Sequence, residues 1–133
     1  MSDEVLHQTT KDLKEGKFIL IDNEPCKIVE MDVSAPGKHG SAKVRIVAIG
    51  LFDNQKRTLV KPSGSDVDVP IITKKRAQVV SITGDNAQLM DMDTYETYEL
   101  PIPQELKDKI KAGQEVEVLE SMGKRLLSRI LGE

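Results

Sequence analysis

The sequence predicts a mainly β chain of two small modules: a barrel or sandwich of five short strands, then a five-stranded OB barrel carrying one short helix. Three observations predict it. The apolar runs are short and separated by turn residues, as strands of a small barrel require. Helical spacing is read only over Gln104–Lys111, between the third and fourth strands of the second half. The core must come from Ile, Val, Leu and Met, because Trp is absent and Phe18, Phe52, Tyr95 and Tyr98 are the only aromatics. The β-branched members of that set suit a pleated, half-buried surface.

In the first module, Lys17–Asp22 (KFILID) is an apolar strand closed by the turn residues Asn23-Glu24-Pro25. Cys26–Ser34 (CKIVEMDVS) follows, with Cys26, Ile28 and Glu30 expected on one face and Lys27, Val29 and Met31 on the other. Ala42–Gly50 returns, carrying Val44, Ile46 and Ala48 inward. Strands are also expected at Lys56–Lys61 and Val67–Ile72. Pro70 and the charge run Lys74-Lys75-Arg76 mark a joint, read as a solvated linker face, so the modules divide at 1–71 and 72–133.

The second module starts with strands near Ala77–Thr83, Ala87–Met92 and Tyr95–Leu100. Pro103 suits the first turn of the helix, Leu106 and Ile110 share its face, and Gly113 lies just past its end. Glu115–Glu120 and Arg125–Leu131 complete the order of three strands, helix, two strands that fits an OB barrel. Such barrels stack bases on aromatic side chains, and here only Tyr95 and Tyr98 are available. Three residues apart, they would lie on opposite faces of a regular strand, so at least one is expected to pack.

Several function classes fall away. Net charge is −3 at pH 7, and the halves carry 10 Lys/Arg against 11 Asp/Glu and 9 against 11, which argues against coating DNA. The polar start MSDEVLHQTTKDLKEGK is no signal peptide, and no run is long enough to span a bilayer, so a cytoplasmic protein with no membrane partner is expected. Cys26 is alone and reads as a small buried residue. With only His7 and His39, a tetrahedral zinc site lacks ligands. A phosphate loop would need Gly at 32 and Ser or Thr at 39, where Asp32 and His39 stand. No nucleophile elbow accompanies Ser34 or Ser41, so no catalytic residue is assigned.

What stands out is the hairpin tip Ser34-Ala-Pro-Gly-Lys-His-Gly-Ser41. No acidic residue occurs from Val33 to Phe52, and Lys43 and Arg45 follow on one side of the returning strand. Pro36 stiffens the approach, and Gly37 and Gly40 can take positive φ, so Lys38 can stand clear of its neighbours. An ordinary surface lysine satisfies the same local physics. Lys43 and Arg45 are candidates for RNA contact, with simple solvation as the alternative.

SAPGKHGSAKVRIVAIGLF resembles the modification loop of translation initiation factor 5A in its archaeal form, a family related to bacterial elongation factor P. GKFILIDNEPCKIVEM, DVPIITKKRAQVVSITGD and LMDMDTYETYELPIP are similar to the same family in the same order. The resemblance implies an N-terminal SH3-like barrel followed by an OB domain. It implies that Lys38 is converted to hypusine or deoxyhypusine, with Gly37, His39 and Gly40 matching the flanking pattern. Deoxyhypusine synthase would perform that step with spermidine and NAD, no cofactor being bound by the chain itself. It further implies a monomeric, non-enzymatic factor that binds the ribosome beside P-site tRNA and relieves stalling at proline runs. A general single-stranded RNA-binding OB protein and a protein-interaction module are the competing readings.

Overall fold

The structure, a computed structural model, describes residues 5–35 and 42–132. The chain forms two compact units, Met1–Ile71 and Ile72–Glu133. Each has its own core, which follows from the sequence: neither half contains a long amphipathic helix, so each must bury sheet faces against each other.

In the first unit, strands β1 (Val5–Thr9) and β6 (Asp66–Pro70) pair antiparallel. Strands β2 (Phe18–Ile21), β3 (Glu24–Ser34), β4 (Lys43–Gly50) and β5 (Lys56–Pro62) form a four-stranded antiparallel meander in chain order. β2 also packs against β6, so the two sheets curl around one core as an SH3-like barrel. Ile19, Cys26, Ile28, Ile46 and Ala48 are at its centre, with Leu59 and Val69 packed against it. Cys26 is buried, its Sγ–H donates to the Glu24 carbonyl at 3.3 Å, and burial pushes the thiol above its usual pKa. The β4–β5 turn depends on Gly50. A Cβ there would fall 1.9 Å from Asp53 Oδ1, and Asp53 is held by Arg57 through Nη1–Oδ1 and Nη2–Oδ2 contacts of 3.2 and 2.9 Å. That paired contact holds the Asp53 carboxyl down at about 2.

The second unit is one five-stranded antiparallel sheet. Its strands are β7 (Thr73–Thr83), β8 (Asn86–Asp91), β9 (Thr97–Pro101), β10 (Glu115–Ser121) and β11 (Lys124–Gly132), in the order β11-β10-β7-β8-β9. β11 approaches β9, which brings the sheet round toward the closure of an OB barrel. Ala77, Val79, Leu89, Val116, Val118 and Leu127 fill the interior, and Ile102 and Ile110 from outside the strands join the same core.

Four sequence expectations are corrected. The polar N-terminal stretch contains β1, an edge strand whose burial is too slight to leave an apolar pattern. Lys74-Lys75-Arg76 is not a linker face but the start of β7, the central strand, paired with Leu119, Val118 and Glu117 of β10. Its charges are accommodated by carboxylates: Lys75 lies 3.9 Å from the buried Asp91, and Arg76 bonds Glu115. The Asp91 carboxylate accepts from the backbone N–H groups of Thr94 and Asp93, which with Lys75 lowers its pKa. The expected helix is a 3-10 turn over Gln104–Leu106, followed by further turns that still place Leu106 and Ile110 on the core. Finally, the third strand of this unit starts at Thr97, because Tyr95 takes φ +64 in the preceding turn.

Candidate functional site

The β3–β4 hairpin is the frame of the candidate site. Its ladder runs from Cys26↔Gly50 to Ser34↔Lys43, where the Ser34 hydroxyl donates to the Lys43 carbonyl at 3.5 Å. Ser63 N–H donates to the Ala42 carbonyl at 2.8 Å, tying the start of β4 to the end of β5. Lys38, with Pro36, Gly37, His39 and Gly40, lies in the connection between these strands and outside the described residues.

Just below that connection the faces of β4 divide, although Val47 further along is buried on the side of Lys43 and Arg45. Val44, Ile46 and Ala48 are buried in the core, whereas Lys43 and Arg45 are exposed on the opposite face. The expected alternation therefore holds on β4. It fails on β3, where a bulge at Val29 shifts the register between Ile28 and Glu30. Ile28 faces inward opposite Ala48, and after the extra residue Met31 faces inward opposite Ile46. Glu30 and Asp32 consequently point outward, whereas unbroken alternation from Cys26 would put both on the inward face with Ile28.

This register changes the electrostatics. Asp32 is the ladder partner of Arg45, and Arg45 Nη1 lies 3.3 Å from Asp32 Oδ2 and 3.4 Å from Glu30 Oε2. A stretch without acidic residues in sequence thus acquires two carboxylates across the sheet, and the three charges sum to −1. Lys43 has no carboxylate partner among the described residues, its cross-strand neighbours being Ser34 and Pro62. Sequence reasoning treated Lys43 and Arg45 alike. The structure separates them.

In the second unit, aromatic platforms are scarce. Tyr98 packs against the core, with the Arg125 guanidinium 4.1 Å from its ring centroid, and burial raises the phenol pKa. Arg125 is itself held by Glu120 and Glu96 at 2.9 and 3.1 Å. Tyr95 is 68% exposed, which leaves one open ring. Among the described residues no cluster of His, Cys, Asp and Glu is arranged to hold a metal ion, and no helix is long and apolar enough to cross a membrane.

A family model described as "Translation initiation factor 5A-like, N-terminal" matches residues 4–65, and one described as "Eukaryotic elongation factor 5A hypusine, DNA-binding OB fold" matches residues 71–130. The chain is 53% identical over 137 aligned positions to translation initiation factor 5A of Pyrococcus horikoshii, covering 100% of this chain and 99% of that one. It belongs to the translation initiation factor 5A family. The Archaeoglobus fulgidus factor is 56% identical over 120 residues, 90% of this chain and 94% of its relative. Among solved structures, the translation initiation factor 5A from Methanococcus jannaschii superposes with a TM-score of 0.88 at 43% identity, covering 96% of this chain and 98% of that one. A family member from Naegleria fowleri gives 0.73 at 30% identity over 95% and 97%. The SH3-like and OB arrangement is therefore that of translation initiation factor 5A, in its archaeal form.

Proposed function

We propose that this translation factor acts on the ribosome through a single modified side chain. Deoxyhypusine synthase, using spermidine and NAD, would extend Lys38 to deoxyhypusine or hypusine. The extended arm would steady P-site peptidyl-tRNA while the ribosome forms the peptide bond, with the greatest effect where bond formation is slow, as at proline runs. The observation that carries this reading is the sequence PGKHG, with Lys38 between Gly37 and Gly40, in the segment that joins β3 to β4 in a chain that matches the family from end to end.

The chemistry favours such an arm. Lysine ends in one ammonium on a four-carbon stem. Adding an aminobutyl group keeps a protonatable amine within a longer stem and places another at its end. A thin, doubly cationic chain suits a sugar–phosphate backbone, and phosphate contacts position a partner without reading its bases. That is what a factor serving every tRNA requires. Holding the acceptor end in place lowers the entropic part of the barrier, so no catalytic group or bound cofactor is needed on the factor. Lys43, without a carboxylate partner among the described residues, would add a phosphate contact beside the connection between β3 and β4.

A general single-stranded RNA binder is the competing reading, and the packing of Tyr98 beneath Arg125 weighs against it. A ribosome-binding assay with modified, unmodified and Lys38→Ala protein separates the two. Tighter binding by the modified form than by either other form is expected. Equal binding by all three would favour the general RNA binder or a protein-interaction role.

A further inference from the structure

Arg45 is the one guanidinium on the outer face of the hairpin strands, and both of its carboxylate partners meet the same nitrogen. Glu30 and Asp32 reach Nη1 at 3.4 and 3.3 Å, so neither makes the two-nitrogen contact that would hold the group firmly. The three side chains are 47%, 54% and 61% exposed for Arg45, Glu30 and Asp32. Ion pairs this open are weak and are readily exchanged for another anion. Their arrangement follows from the Val29 bulge: had β3 alternated without interruption from Cys26 and Ile28, Glu30 would face the core and could not reach Arg45.

We propose that Glu30 and Asp32 hold Arg45 in a displaceable ion pair that excludes it from free RNA and releases it to a phosphate only where other contacts have already brought an RNA backbone to this face. The proposal rests on the reading that the hairpin meets RNA, and it adds how that surface discriminates. The two carboxylates occupy Arg45 and more than cancel its charge, so a loose strand in solution gains little from it. Once a strand is fixed nearby, a phosphate oxygen takes the place of the carboxylates on the guanidinium at small cost. Specificity then comes from penalising the wrong encounter as well as rewarding the right one.

The test uses full-length protein and single-stranded oligouridine as the probe, with binding followed across a salt series. The E30Q/D32N double variant keeps side-chain size and removes both charges. It should bind about fivefold more tightly at low salt, and its log–log salt slope should steepen by about 0.7, the increment for one further phosphate contact on a single strand. Adding Arg45→Gln to that variant should return affinity and slope to the wild-type values. No gain in the double variant overturns the proposal. So does a gain that survives Arg45→Gln, since net charge alone would then explain it. Thermal unfolding of both variants, whose changes lie on exposed side chains, establishes that they are folded. Stalling relief by Lys38→Arg protein tests the reading on which this rests independently of the oligouridine titration.

Discussion

Lys38→Arg protein, expressed in a host that carries out the modification, should lose relief of ribosome stalling while remaining folded. Arginine keeps one positive charge but offers no primary amine to receive an aminobutyl group. If the account is right, charge at this position is not enough; length and the second amine carry the effect. The rate of peptide-bond formation at a proline run should fall on the order of tenfold or more, equivalent to about 1.4 kcal/mol of lost transition-state stabilisation. At sequences that do not stall, the same substitution should change little, because no slow step is left to assist. Circular dichroism and the thermal midpoint should match wild type. Wild-type stalling relief by this variant would remove the mechanism.

The second large effect is on stability. Leu89 is fully buried in β8, among Val79, Val116 and Leu127. Leu89→Ala removes three heavy atoms from a packed interior and should cost about 2–5 kcal/mol. A domain of roughly 60 residues is marginal at the outset, so that loss is a large part of what the second unit has. Hydrogen exchange should show protection collapsing across β7–β9. The first unit, whose core contains no residue of the second, should keep its protected amides. Val33→Ala is the contrasting case: Val33 is 66% exposed, and its loss should stay within about 0.5 kcal/mol. If Leu89→Ala were equally mild, the assigned core of the second unit would be wrong.

Much of this was legible in the sequence, and the exceptions have physical causes. Strands with a regular inward set, such as β4 with Val44, Ile46 and Ala48, announce themselves by alternation even though Val47 is buried as well. β1 does not, since an edge strand with little burial leaves no apolar record. Lys74-Lys75-Arg76 read as solvated because a charge run carries no sign of its partners. Asp91 and Glu115, which accommodate it, arrive from β8 and β10, 15 or more residues further along. The Val29 bulge was invisible for a related reason. Val29 satisfies either face, and only pairing with β4 shows which side Glu30 takes. At least one of Tyr95 and Tyr98 is expected to pack, and Tyr98 does, but a turn at Tyr95 and not the opposite face of a strand sets the two apart. The candidate lysine was legible because its loop is local: Pro36, Gly37 and Gly40 are contiguous with it, and the resemblance of PGKHG to the family needs no tertiary contact. The charge environment of Arg45 needed the register.

The most direct test of the central claim is a density map of this protein, modified in its native host, bound to a ribosome carrying peptidyl-tRNA stalled at a proline run. The account predicts continuous density from residue 38 to the sugar–phosphate backbone at the acceptor end of the P-site tRNA, with its terminal amine within hydrogen-bonding distance of an RNA oxygen. A side chain of residue 38 directed at protein or solvent, tens of ångströms from any nucleotide, would contradict it, because phosphate contacts of this kind act only at short range.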